Sequence, residues 1–157
     1  MADTDTLILE PLPADDLEEL AVTLREADLP HQDLVGPAKR FFCASIAGEI
    51  VGYVGLEIGG ADALLRSAVI FIRSRHRGHG RSMIERLLAV ASESGIERVW
   101  LLTSSAPGFF AKLGFADVNR ATVPSALAAS DEFSLPACAS AVCMVRELAT
   151  TPSATPA

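Results

Sequence analysis

Leu7, Ile8 and Leu9 form a short apolar run closed by Pro11 and Pro13, which predicts a strand ending in a turn. Behind it Leu17, Leu20, Ala21 and Leu24 fall at the i, i+3, i+4, i+7 spacing of one helical face. Asp15, Asp16, Glu18 and Glu19 sit at its opening turn, where the helix dipole favours negative charge, and Leu29-Pro30 breaks it. Residues 30–40 read as a loop or a second short helix. Residues 41–46 and 50–57 read as two strands joined tightly at Ala47-Gly48-Glu49. After a turn at Gly59-Gly60, residues 63–73 form a third, largely apolar strand, which places it near the centre of a sheet. A helix follows with Ile84, Leu87, Leu88 and Ala91 on one face, ended by Gly95. The pattern then predicts a buried strand at 99–103, a short helix at 107–113 capped by Gly114, and a strand at 115–120. A helical stretch at 122–130 and a last strand at 141–148 complete it. Hairpins first and strand–helix–strand later make a mixed α/β domain over residues 1–148, its sheet antiparallel in the N-terminal part and parallel further on. Residues 149–157 carry only Thr, Pro, Ala and Ser and read as a disordered tail.

Composition narrows the partners. Of 157 residues, 50% are hydrophobic and 21% charged, which is the composition of a folded domain. Thirteen Lys and Arg against 20 Asp and Glu give a net charge of −7, which argues against nucleic acid, whose binding rests on a basic surface. The N-terminus shows no basic stretch followed by an apolar one, and apolar runs fall far short of the ~20 residues of a membrane span. The expectation is a cytoplasmic protein with no membrane partner. Cys43, Cys138 and Cys143 are too few, and odd in number, for a disulfide framework. Cys138 and Cys143 lack companion ligands, so they read as buried or idle thiols and no metal site is expected.

Where the positive charge sits changes the picture. Arg73, Arg75, Arg77 and Arg81 lie within nine residues, with His76 and His79 beside them, between an apolar strand and an amphipathic helix. Gly78 and Gly80 let a ligand approach the backbone closely, and the amides and dipole at a helix start face an anion there. A solvated turn with a basic rim is the plainer alternative. A P-loop would need Gly-Lys-Ser/Thr after four variable residues, which is absent, and a dinucleotide fingerprint would need glycine at position 83, which is Met83.

Arg75-x-x-Gly78-x-Gly80, preceded by the apolar residues 67–72, resembles the acetyl-CoA motif of the GNAT superfamily of N-acetyltransferases. Trp100-Leu-Leu-Thr103 and Phe109-Phe110-Ala-Lys-Leu-Gly114-Phe115 resemble its second strand–helix block. The resemblance implies the GNAT fold, a mixed central sheet whose parallel strands splay around the cofactor, with flanking helices. It further implies acetyl-CoA as cosubstrate, with Ala68, Val69 and Ile70 along the pantetheine. Arg75, His76, Arg77, Gly78, His79, Gly80, Arg81 and Ser82 would surround the pyrophosphate, with Phe110 beside the cofactor. Leu29-Pro30, Gly55-Leu56-Glu57, Leu64-Leu65-Arg66-Ser67 and Ser140-Ala-Val-Cys143-Met144 resemble the arsenic-resistance N-acetyltransferases. Leu102-Thr103-Ser104 with Phe110 and Gly114-Phe115 also resembles N-acetylglutamate synthase acetyltransferase domains.

Acetyl transfer to an amine requires a neutral amine, orientation, oxyanion stabilisation and a proton for the departing thiolate. The tyrosine that many members use for that proton is matched here by Phe110, so Thr103 and Ser104 are the nearest replacements. Their hydroxyls can equally cap the end of a strand or the next helix. Glu57, near the end of an apolar strand, is the candidate base, or else leaves the sheet into solvent. Arg66, on a buried strand, requires a partner, which is either Glu57 in a structural ion pair or the anionic end of a substrate. His31 is a candidate for the acceptor pocket or a solvated loop residue.

The functional expectation is therefore an acetyl-CoA-dependent N-acetyltransferase acting on a small anionic amine, such as an amino acid or an amino-acid-like arsenical. A homodimer is one assembly open to it. A non-catalytic CoA-binding module and an anion-binding regulatory domain are the alternatives.

Overall fold

Four successive strands joined by short turns or by a helix make the first half of the chain an antiparallel meander. In the computed structural model the strands are β1 (Leu7–Pro11), β2 (Lys39–Ile46), β3 (Glu49–Gly59) and β4 (Asp62–Ile70). The structure describes residues 6–148 apart from 30, 32–33, 37, 72–73, 76–77, 105, 129, 131–132 and 134–140. Ala47 and Gly48, at φ 54° and 83°, close the β2–β3 hairpin with two successive left-handed residues, the geometry that matches strand twist. Ala63 and Leu65 of β4 enter one core cluster and Leu64 another, so β4 is covered on both faces, as its apolar run requires.

The second half adds a crossover. α2 (His79–Glu93) links β4 to β5 (Arg98–Thr103), which runs parallel to it. β5 then pairs antiparallel with β7 (Val142–Glu147), and β7 with the short β6 (Ala116–Asp117). The seven strands lie in the order β1-β2-β3-β4-β5-β7-β6, which puts β4 in the middle as its composition predicts. On one face α2 packs Met83, Ile84, Leu87, Leu88 and Ala91 into the core beside Phe110 of α3 (Pro107–Lys112). On the other, α1 (Leu17–Glu26) buries Leu20 and Leu24 against Phe41, Tyr53 and Val69. There α4 (Ser125–Ala128) buries Leu127 against Leu64, Trp100 and Cys143. Each leucine buried this fully contributes roughly 2 kcal/mol of transfer free energy.

Several boundaries differ from expectation. The strand expected over 115–120 shrinks to Ala116–Asp117, because Asn119 accepts from the amide of Ala121 and starts a 3-10 turn (Arg120–Thr122). The helix expected over 122–130 reduces to α4, behind Pro124. The strand expected over 63–73 ends at Ile70. The tail over 149–157 and Cys138 lie outside the described residues. Among the described residues no helix is long and apolar enough to cross a membrane.

Candidate functional site

Two parallel strands that begin paired and then part create an opening in the middle of the sheet. β4 and β5 pair from Asp62↔Arg98 to Leu65↔Leu101 and no further, although β4 continues to Ile70 and β5 to Thr103. Their closed end is pinned by buried Asp62, which accepts from Arg98 Nε at 2.8 Å and Trp100 Nε1 at 2.9 Å. Past Leu65, β4 stays bound to β3 through Gly55↔Arg66, Tyr53↔Val69 and Gly52↔Ile70. Between the first two pairs β3 spends one residue and β4 two, Ser67 and Ala68, which is a β-bulge. Ser67 takes φ 60° while buried, a left-handed conformation that costs a serine about 1–2 kcal/mol. Ala68, Val69 and Ile70 lie on the stretch of β4 past its last pair with β5.

The chain then leads into α2. Gly78 adopts φ 78°, ψ 7° as its N-cap, a conformation glycine takes without strain, and no side chain caps the helix. His79, Gly80, Arg81 and Ser82 form its first turn; the amides ahead of Ser82, which itself donates to the Gly78 carbonyl at 3.2 Å, present the positive end of a helix of ordinary length. A Cβ built on Gly80 would lie 3.5 Å from Phe109 Cζ and 3.8 Å from Ile70 Cγ1. Gly80 therefore faces the end of β4 and the exposed ring of Phe109 across a gap that glycine leaves open. Arg75 Nε donates to the Ile70 carbonyl at 3.0 Å, holding the exposed arginine beside the same opening. Arg81 pairs at 3.1 Å with Glu85, both well exposed, which shares part of its charge. Arg73, His76 and Arg77 lie outside the described residues.

The catalytic and substrate candidates are distributed differently. Thr103 is buried, and its Oγ1 accepts from the Ala106 amide at 3.1 Å in the turn ahead of α3. Ser104 is exposed just beyond β5. Phe110 is buried, edge-on to Phe115 at 5.6 Å, and neighbouring Phe109 is the ring that reaches Gly80. Glu57 and Arg66 come together on the α1/α4 side of the sheet: Arg66 Nη1 donates to Glu57 Oε1 at 3.0 Å, with the arginine side chain fully buried. Ser130 donates to that same oxygen at 2.9 Å. His31 is half-buried, its Nδ1 at 3.2 Å from the Leu29 carbonyl. Ser130 carried no local signal because its contact spans 73 positions, whereas helical phase could have separated outward Phe109 from inward Phe110.

A cavity of about 560 Å³ opens on the α1 side of the end of β4, bounded by Thr23, Glu26, Ala27, Val69, Phe71 and Arg75 among others. Nearby Tyr53 is buried, and burial, then the charge of Glu19, pushes its phenol above the ordinary 10.0. Burial likewise raises the thiol of Cys143 above its ordinary 9.0, against a lowering by Arg120. Both groups stay protonated at neutral pH.

The model of the acetyltransferase (GNAT) family matches residues 5–115. The chain is 28% identical over 94 residues to an uncharacterised N-acetyltransferase of Chlorobaculum tepidum, a match covering 59% of this chain and 60% of that relative. The match therefore spans less than two thirds of the relative's length. Among solved structures, N-acetylglutamate synthase from Neisseria gonorrhoeae, complexed with coenzyme A and L-arginine, superimposes with a TM-score of 0.74 at 16% identity. That alignment covers 92% of this chain and 34% of the synthase. A Mycobacterium tuberculosis protein in complex with CoA gives 0.65 at 19% identity, covering 90% and 99% of the two chains. The ribosomal-protein-S18-alanine N-acetyltransferase of Escherichia coli gives 0.69 at 15%, covering 92% and 96%. At such identities the likeness is one of fold.

Proposed function

This chain belongs to the acetyltransferase (GNAT) family, and from that premise we propose that it is an N-acetyltransferase using acetyl-CoA to acetylate the amine of a small molecule. The observation that carries the reading is the parting of β4 from β5 beyond Leu65 and Leu101, directly ahead of the uncapped N-terminus of α2. Backbone groups of Ala68, Val69 and Ile70 would bond the pantetheine as an extra strand would. The first-turn amides of α2, with Gly80 leaving room and Arg75 and Arg81 adding charge, would hold the pyrophosphate. The cosubstrate supplies an acetyl group already activated as a thioester. The chain's task is to place the acceptor nitrogen against that carbonyl, so that a C–N bond forms as the C–S bond breaks. The amine gives up one proton and the departing sulfur takes one. Ser104, exposed past β5, and Thr103, whose Oγ1 already accepts a bond, are the hydroxyls nearest the role that Phe110 leaves open.

The cavity between α1 and the end of β4 is the approach we assign to the acceptor, because it shares Val69 and Ile70 with the parting. An amino-acid acceptor of the glutamate type and an amino-acid-like arsenical are the two finer readings, resting on the sequence resemblances rather than on Arg66, which Glu57 already balances. A panel of glutamate, aspartate, phosphinothricin-like and arsenical amino acids with neutral amines, read as thiol released from acetyl-CoA, tests all of this. Release with one class names the acceptor. CoA binding without release from any amine would replace the enzyme with a CoA-binding module. Equal thermal protection by pyrophosphate and by CoA would reduce the site to a general anion cradle.

A further inference from the structure

The parting of β4 and β5 begins beside a backbone conformation that serine does not adopt readily. Ser67, at φ 60° and buried, is the extra residue of the β4 bulge, one position after the last buried-strand arginine and two after the last β4–β5 pair. Something must hold it there. Arg66 is held by several groups among the described residues. Its Nη1 donates to Glu57 Oε1 at 3.0 Å, its Cζ lies 5.7 Å from the centre of the Phe41 ring, and its Nε reaches Ser67 Oγ at 3.4 Å. Glu57 is anchored in turn by Ser130, beyond α4. The Phe41 ring lies over Gly55, the β3 partner of Arg66, so closely that a Cβ there would be 2.6 Å from Cδ1.

We propose that Ser130, Glu57 and Arg66 form a strut that locks the Ser67 bulge and thereby shapes the donor cleft, so that they are positioning residues for acetyl-CoA rather than a base and an acceptor-binding cation. The chemistry fits the placement. The Arg66 side chain has no exposed surface, so an acceptor could reach it only by displacing the groups packed around it, Glu57 and Phe41 among them. A buried pair that loses one member leaves an uncompensated charge, so the strut resists loosening. Its three members come from β3, β4 and the segment after α4, which ties the bulge to the neighbouring strand and to the layer that covers it. The proposal rests on the acetyl-CoA reading only for the identity of the ligand.

The test is calorimetric titration of the full chain with CoA, beside amide hydrogen exchange at residues 67–70 without ligand. Glu57→Gln and the milder Ser130→Ala are expected to exchange faster at 67–70 and to bind CoA more weakly, by about tenfold for Glu57→Gln. The decisive arm is rescue: Ser67→Gly, which makes the left-handed conformation cheap, should return the affinity of Glu57→Gln to within about threefold of wild type. Because that glycine also stabilises the fold as a whole, an equally stabilising substitution away from the bulge is the control, and it should leave the affinity of Glu57→Gln unrestored. Unchanged exchange at 67–70 in both variants, or unchanged CoA affinity with a raised acceptor KM, overturns the strut and restores Arg66 and Glu57 to the acceptor. Wild type that does not bind CoA overturns the acetyl-CoA reading instead, and the exchange arm then decides on the strut by itself.

Discussion

Single residues on the α1/α4 side of the sheet hold protons more tightly folded than unfolded. Burial raises the Cys143 thiol above 9.0, and burial with Glu19, Cys43 and Asp16 raises the Tyr53 phenol above 10.0. A folded-state value above the unfolded one contributes stability that is fully present below the unfolded value and lost as pH rises through the folded one. The melting temperature should therefore hold steady up to about pH 9 and fall beyond it. Cys143→Ala, whatever it costs at neutral pH, should make that fall shallower. Thermal melts between neutral and strongly alkaline pH check it, and a limb of equal steepness in the variant would remove Cys143 from the explanation. The side-chain alternatives left open by the sequence divide at this scale. Arg66 was legible as a charge in need of a partner, and Glu57 pairs with it at 3.0 Å. Thr103 was legible as either a proton donor or a cap, and its Oγ1 accepts from the Ala106 amide, which leaves its own proton to donate. Ser67 and Ser130 were not legible, because a bulge and a contact across the sheet leave no mark on neighbouring positions.

At the scale of elements, β4 and β5 have one task at each end: to pair at the start and to part at the finish. Asp62 serves the start, bridging Arg98 and the indole N–H of Trp100. Asp62→Ala would leave that N–H and the guanidinium without their shared acceptor, at a cost of about 2 kcal/mol for bonds to a buried charged group. Chemical denaturation should show that loss with an unchanged slope. A loss within a few tenths of a kcal/mol would mean that the strands are held by the core leucines alone. Local pattern served these elements well. The Ala47-Gly48 hairpin, the apolar centre of β4 and the amphipathic face of α2 all follow from neighbours within a turn or a strand. Where pairing stops is a property of two strands and a crossover, and no window of sequence contains it. The short β6 was overestimated because Phe115 and Val118 supply apolar character while Asn119 turns the chain.

Over the whole molecule the charge of −7 repels polyanions, yet arginines gather where α2 begins. Arg75 and Arg81, a helix start with no side-chain cap and the side-chain-free Gly80 make a local exception suited to a small phosphorylated ligand. One measurement reaches this claim most directly: calorimetric titration of CoA into wild type and Gly80→Glu. Gly80 is not in the left-handed region and a Cβ there meets only ordinary contacts, so the variant should fold with a melting temperature close to that of wild type. Its carboxylate would occupy the gap between Phe109 and Ile70 at the anion end of the cleft. The expected result is saturable binding by wild type and no detectable binding by the folded variant. Equal affinity in the two proteins would contradict the placement of the cosubstrate between β4, β5 and α2.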